Sequence, residues 1–142
     1  MAIVVLLADV VAFWVVPRFD IPPEFWGSEI ETVDVDAREL RLVRVDYQDG
    51  LRNVASLGGL DGALFVLPRT MTTGHGMGMD RVLMPLDVVF FDAAGRFVDR
   101  HTMDLCEPGA CPGYYPGGEW QFAIEAPAGA LSWIGEGSVL RR

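Results

Sequence analysis

The chain has 142 residues, a net charge of −9 and 51% hydrophobic residues, which makes one domain with a packed core and argues against disorder. Its 11 basic residues are all Arg, so Schiff-base lysine chemistry and a Walker-type phosphate lysine are excluded. Set against 20 acidic residues, they leave no basic face for nucleic acid or for an anionic membrane surface.

Residues 1–16 (MAIVVLLADVVAFWVV) are apolar except for Asp9. As a helix they would be about 24 Å long, short of the roughly 20 apolar residues that span a bilayer. A basic n-region and a clear small-residue cleavage site are both missing. Three readings stand: a membrane anchor whose true start lies upstream, which is preferred; a secretory signal; and a buried element of the domain. Asp9 inside a bilayer costs on the order of 3 kcal/mol and would need a partner or a proton. Pro17, Pro22, Pro23 and Gly27 break any helix. Phe13, Trp14, Phe19, Phe25 and Trp26 flank the break, as aromatics do at a membrane interface, or pack as a hydrophobic lip on the domain. Residues 17–28 are expected to form a linker and residues 29–142 one β domain.

From Ile30 the pattern turns to period two. Leu40, Leu42 and Tyr47 alternate with Arg41, Arg44 and Asp46, with a slip at 43–45, which predicts a half-buried strand. Residues 50–61 read as a turn-rich connection with room for one helical turn. Residues 63–67 (ALFVL) read as a buried strand and 68–78 as a Thr-, Gly- and Met-rich loop. Residues 86–91 (LDVVFF) are a strand, 92–95 a turn, and 96–103 its hairpin partner. A long Pro- and Gly-containing loop fills 104–118, a strand 120–125, a short helix 128–134, and a last edge strand 138–141. The expected fold is mainly β: a small antiparallel sandwich or barrel-like domain with one short C-terminal helix, preceded by the N-terminal hydrophobic segment.

Several of these stretches together resemble the domain of unknown function 192 family, also called uncharacterised protein family 0127. They are Gly62-Ala-Leu-Phe-Val, then His75 to Met79, then Pro85-Leu-Asp-Val-Val-Phe-Phe-Asp92 with Gly95. Cys106, Cys111, Tyr115-Pro116, Ala123-Ile-Glu125 and Ala128-Gly129 follow in the family's order, and Gly50-Leu51 matches an earlier step. The resemblance covers residues 40–140, and P-L-D-x-x-F-x-D-x-x-G is its most specific part. It implies a compact, mainly β domain, often behind a signal peptide or anchor, with no established enzymatic activity. Where the family carries W-M-K-N-T this chain has Gly78-Met-Asp-Arg-Val82, so contacts made by those side chains in relatives are not carried over.

Asp87 falls inside an apolar run, with Val88 and Phe90 pointing to the opposite face. A carboxylate there needs backbone N–H groups or an Arg, and Arg81 or Arg69 is the expected partner. It either staples the 70–79 loop onto the sheet or contacts a ligand. Cys106 and Cys111 are preferred as a disulfide, worth roughly 2 kcal/mol for so small a ring and requiring an oxidising compartment. Free thiols and a metal site are the alternatives. In an extended segment His75, Met77 and Met79 point to one side, a soft donor set suited to copper(I), unless the methionines fill the core and His75 bonds loop backbone. Glu125 ends an apolar strand and is expected to cap or anchor the 128–134 helix. Tyr114, Tyr115 and Trp120 form an aromatic platform for a ligand or cover an open end of the domain.

The chain is therefore expected to be a non-enzymatic binding or accessory module of the cell envelope, anchored or exported, with a small molecule or an envelope protein as partner and no cofactor. The 70–79 and 104–118 loops would form its site, with His75, Met79, Asp87, Tyr115 and Glu125 as ligand candidates. The alternatives are a copper binder using His75, Met77 and Met79, and a hydrolase using Asp87 or Glu125, which needs a cleft holding two carboxylates, one with a raised pKa.

Overall fold

The computed structural model describes residues 21–142. The apolar segment 1–16, with its expected anchor or signal role, lies outside the described residues. Of the expected linker, 21–28 is described. It makes a single 3-10 turn at Pro23–Phe25 and puts Phe25 into the core, 6% exposed.

Seven strands follow: β1 (Ile30–Val35), β2 (Arg38–Arg44), β3 (Gly62–Met71), β4 (Leu86–Phe91), β5 (Phe97–Met103), β6 (Trp120–Pro127) and β7 (Leu140–Arg141). They form one curled sheet, a half-barrel, in the order β5-β4-β6-β3-β2-β1-β7. It is a single sheet, so the sandwich alternative is set aside. One pair departs from the antiparallel expectation: β2 and β3 run parallel, with Val43 opposite Ala63. A parallel pair needs a crossover of a dozen or more residues, and 45–61 provides it. That crossover seats Leu51, Val54, Leu57 and Leu60 in the core, which holds it across one face of the sheet.

The single strand expected around residue 40 is the second arm of a tight hairpin. Val35 pairs with Arg38, so the turn is Asp36-Ala37, at φ 51° and 65°. Two left-handed residues are the signature of a type I′ turn. Asp36 is held there by the Ser138 hydroxyl (2.6 Å) and the Val139 N–H (3.1 Å). Those two donors, the hydroxyl first, keep its carboxyl below the usual range.

Strand alternation sends side chains to two cores. Leu86, Val88 and Phe90 join Phe65, Met103 and Trp120 beneath the crossover. Val89 and Phe91 join Leu42, Leu64, Ile124, Leu131 and Ile134 on the other face. All six residues of β4, Asp87 among them, are buried, as expected of a strand covered on both faces. The sheet nearly closes through an isolated bridge between Arg96 and Val139, with the Leu140 N–H donating to the Gly95 carbonyl at 2.7 Å. Gly95 has φ 81°, and a Cβ on it would lie 2.2 Å from that Leu140 carbonyl region's oxygen. The glycine of D-x-x-G is thus required twice over, by its left-handed backbone and by this close approach.

The expected C-terminal helix is absent. Residues 128–134 form consecutive turns closed by i→i+3 bonds, from Ala130 N–H to Pro127 and from Ile134 N–H to Leu131. Four of their other backbone groups are bonded to side chains. Asp87 accepts the Gly129 (2.9 Å) and Leu131 (3.1 Å) N–H groups, and the Arg100 guanidinium donates to the carbonyls of Ser132 (2.7 Å) and Ile134 (2.6 Å). With both sets bonded to side chains, no i→i+4 ladder is needed.

Candidate functional site

Glu125 lies on β6 between Ala63 of β3 and Val88 of β4, its cross-strand partners. Both neighbours belong to the core beneath the crossover, so Glu125 points to that face too. It is 3% exposed. Among the described residues its carboxyl has no hydrogen-bond partner, whereas the carboxyl of Asp87, 1% exposed, has three. Burial pushes the Glu125 carboxyl up to about 8, so at neutral pH most of it carries its proton.

This carboxyl borders a hollow of about 260 Å³. One wall is the start of the crossover, from Tyr47 to Arg52; the other is the strip from Gly76 to Met77 to Gly78, ending at Asp80. Phe65 and Leu51, both buried, contribute apolar surface. The strip is fixed from behind: the Tyr47 hydroxyl donates to the Gly76 carbonyl (2.6 Å) and the Trp120 indole N–H to the His75 carbonyl (3.0 Å). Tyr47 and Trp120 meet edge to face at 5.7 Å. Burial, and then the nearby Tyr115, raise the Tyr47 phenol above its ordinary value, so it stays a donor.

A second hollow, about 420 Å³, shares this strip and reaches Cys111, Gly113 and Tyr115. Met77 and Tyr114 exchange backbone hydrogen bonds of 2.9 and 2.8 Å across it. A Cβ on Gly76 would come within 2.1 Å of the Tyr114 carbonyl oxygen, so the close approach admits only glycine. The two long loops expected to build the site therefore meet. Cys106 and Cys111 are paired at the base of the second loop.

The sequence candidates separate under this geometry. Glu125 lines the first hollow; His75, Met79 and Tyr115 line the second. Glu125 does not anchor 128–134; Asp87 does so from the opposite face. Asp87 is held by the Thr102 hydroxyl (2.8 Å) and two backbone N–H groups, not by Arg69 or Arg81, and it braces 128–134 instead of the 70–79 loop. Both carboxylate oxygens of Asp87 already accept from protein donors, which leaves it no role toward a ligand. Met77 and Met79 are buried in the core, while His75 is exposed with its ring Nδ1 3.1 Å from the Thr72 hydroxyl. The copper donor set is thus split between interior and surface. Among the described residues no three His, Cys, Asp or Glu side chains are grouped to hold a metal ion. Of the aromatic trio, Trp120 is fully buried and covers the core; Tyr115 is 55% exposed. Sequence reasoning missed Tyr47, Gly76 and Asp80 as walls. The alternating glycines of His75-Gly-Met-Gly-Met79 were the available signal, since they mark backbone in close approach.

Comparison with solved structures finds this fold twice. A protein from Sinorhizobium meliloti, provisionally named a transcription regulator, superposes with a TM-score of 0.62 at 21% identity over 80% of this chain and 94% of its own. A protein of unknown function from Novosphingobium aromaticivorans superposes with a TM-score of 0.65 at 19% identity, covering 86% and 91%. Both likenesses speak to the fold alone. No curated protein matches the chain. The family DUF192, described as Uncharacterized ACR, matches residues 37–141. That span includes every strand from β2 to β7, the Gly95 turn, Asp87 and Glu125, and the chain belongs to the DUF192 family.

Proposed function

We propose that this chain is a non-enzymatic binding module of the cell envelope whose ligand, a small molecule, sits over Glu125. One observation carries the reading: a carboxyl buried to 3% exposure, with no partner among the described residues, borders an open hollow. No side-chain oxygen or nitrogen among the described residues is both buried and unpartnered, so the Glu125 oxygens, bonded to no protein group, open onto the hollow, where a ligand can reach them. The Cys106–Cys111 pair and the apolar segment 1–16 support the envelope location, because disulfides persist in oxidising compartments. The test is a nitrogen-15 NMR screen of the full chain with a fragment library holding neutral, anionic and cationic members. Binding should shift the amide signals of Gly50, Gly76, Gly78 and Glu125. Hits that all fall elsewhere, or no hits, would refute it.

A hydrolase is the second reading. Asp49 and Asp80 share the hollow with Glu125, which puts three carboxyls around one cleft, that of Glu125 raised by burial. Turnover of any ester, amide or glycoside probe that is lost in Glu125→Gln would favour it over simple binding.

A further inference from the structure

We propose that the ligand of this hollow carries a primary ammonium group and seats it against the Glu125 carboxyl. The inference rests on the binding reading above and specifies its chemistry. The charged and titratable groups around the hollow are few. Glu125 comes from β6; Tyr47, Asp49 and Arg52 come from the crossover; Asp80 comes from the strip. Ala63 and Val88, the strand neighbours of Glu125, carry no charge. Three carboxyls thus face one guanidinium, and Arg52 is exposed while Glu125 is buried. An anion would meet this excess of carboxyls with a single cation at the rim. The net charge of −9 adds a field that draws cations toward the surface.

The hydrogen-bonding groups point the same way. Once ionised, the Glu125 oxygens are acceptors with no protein partner, while the Tyr47 hydroxyl is already spent on the Gly76 carbonyl. The other side-chain donors of the lining, Gln48 and Arg52, are exposed at the rim, so beside the buried carboxyl the hollow offers acceptors, and an ammonium offers three donors. Its volume, about 260 Å³, equals the liquid-volume share of on the order of eight waters, which suits a small amine. The apolar surface of Phe65 and Leu51 suits its carbon chain. A bare divalent cation is the poorer fit, since the described residues group no three oxygen, nitrogen or sulfur ligands from His, Cys, Asp or Glu.

Seating an ammonium requires Glu125 to give up its proton to solvent. Binding therefore releases up to one proton per site at neutral pH. Because burial places this carboxyl at about 8, affinity rises about tenfold per pH unit below that value and levels off above it. It falls again only where the amine itself deprotonates.

The experiment is isothermal calorimetry on the full chain with n-butylammonium chloride at pH 6, 7, 8 and 9 and constant ionic strength. It is repeated at pH 7 in two buffers of different ionisation enthalpy to count protons. n-Butanol and sodium butyrate serve as isosteric neutral and anionic probes, and NMR confirms that each probe sits in the hollow. The expected result is butylammonium binding that strengthens from pH 6 to 8, releases about one proton at pH 7, and loses at least tenfold in affinity and all pH dependence in Glu125→Gln. The wild-type proton count keeps the test valid should that variant fail to fold. Butanol or butyrate seated in the hollow as tightly as butylammonium, without proton release, overturns the ammonium assignment and leaves the binding reading standing. No probe in the hollow at any pH overturns both.

Discussion

The buried carboxyl of Glu125 predicts how stability changes with pH. In the unfolded chain it titrates at its ordinary value of 4.5, and in the folded chain at about 8. Below pH 4.5 both states hold the proton, and this residue sets no penalty. Between 4.5 and 8 the folded state keeps a proton that the unfolded state has released, so stability falls as pH rises, by about 1.4 kcal/mol per pH unit. Above 8 both states are ionised and the loss is complete. Glu125→Gln has no proton to exchange. From pH 5 to pH 7 the stability of Glu125→Gln relative to wild type should therefore climb by roughly 3 kcal/mol, two pH units at that slope. Whatever the amide itself costs in the pocket is the same at every pH and drops out of the slope, and so do the other carboxyls common to both chains. The assay is urea unfolding followed by tryptophan fluorescence at pH 5, 6 and 7 without reductant, with Trp120, fully buried, as the reporter. Parallel stability curves for the two chains would mean that Glu125 is ionised or partnered in the folded protein. The reasoning about the hollow would fail with it.

Three further outcomes follow from the same structure. Asp87→Ala leaves the Thr102 hydroxyl and the Gly129 and Leu131 N–H groups without their acceptor and should cost about 3–5 kcal/mol in urea unfolding; a cost below 1 kcal/mol would show that the 128–134 turns do not depend on it. Gly95→Ala combines a left-handed φ of 81° with a Cβ 2.2 Å from the Leu140 carbonyl oxygen and should lose about 2–4 kcal/mol, whereas Gly109→Ala, with φ 85° but open space around it, should lose only the backbone share of about 1–2 kcal/mol. Chain recovered from cells under acid quench should take up no maleimide on Cys106 or Cys111 until a reductant is added, and the Cys106→Ser, Cys111→Ser double variant should be about 2 kcal/mol less stable; ready labelling without reductant would contradict the oxidised pair and the envelope location together.

Where local signals were strong, the strands could be read from the sequence. The 86–91 run, apolar but for Asp87, and its D-x-x-G turn matched β4 to the residue because Pro85 and the turn mark the ends of a strand buried on both faces. The β1–β2 hairpin escaped because its turn is Asp36-Ala37, without the glycine or asparagine that usually marks a type I′ turn. Its left-handed backbone is held by Ser138 and Val139, about a hundred residues further along. The parallel β2–β3 pair escaped for a related reason: period two reports that a strand exists and is silent on its neighbour. Asp87 showed the same divide. Its face was legible from alternation, but its partners lie 15, 42 and 44 residues away. Glu125 was visible as a carboxyl at the end of an apolar strand. That it remains unpartnered depends on Ala63, Val88 and the strip beyond Gly76, which only the folded chain brings together.

The chain end is stitched back to the first hairpin. Asp34 pairs with Arg141, Ser138 and Val139 bond Asp36, and the Arg142 guanidinium binds Glu31 through two hydrogen bonds of 2.7 and 2.9 Å. These contacts bridge 102 to 111 residues, among the longest loops the domain could close. A chain emerging from the ribosome cannot make them until its last strand is out. The sheet's far edge thus stays unlatched until β7 is made, and contacts this non-local make for slow folding.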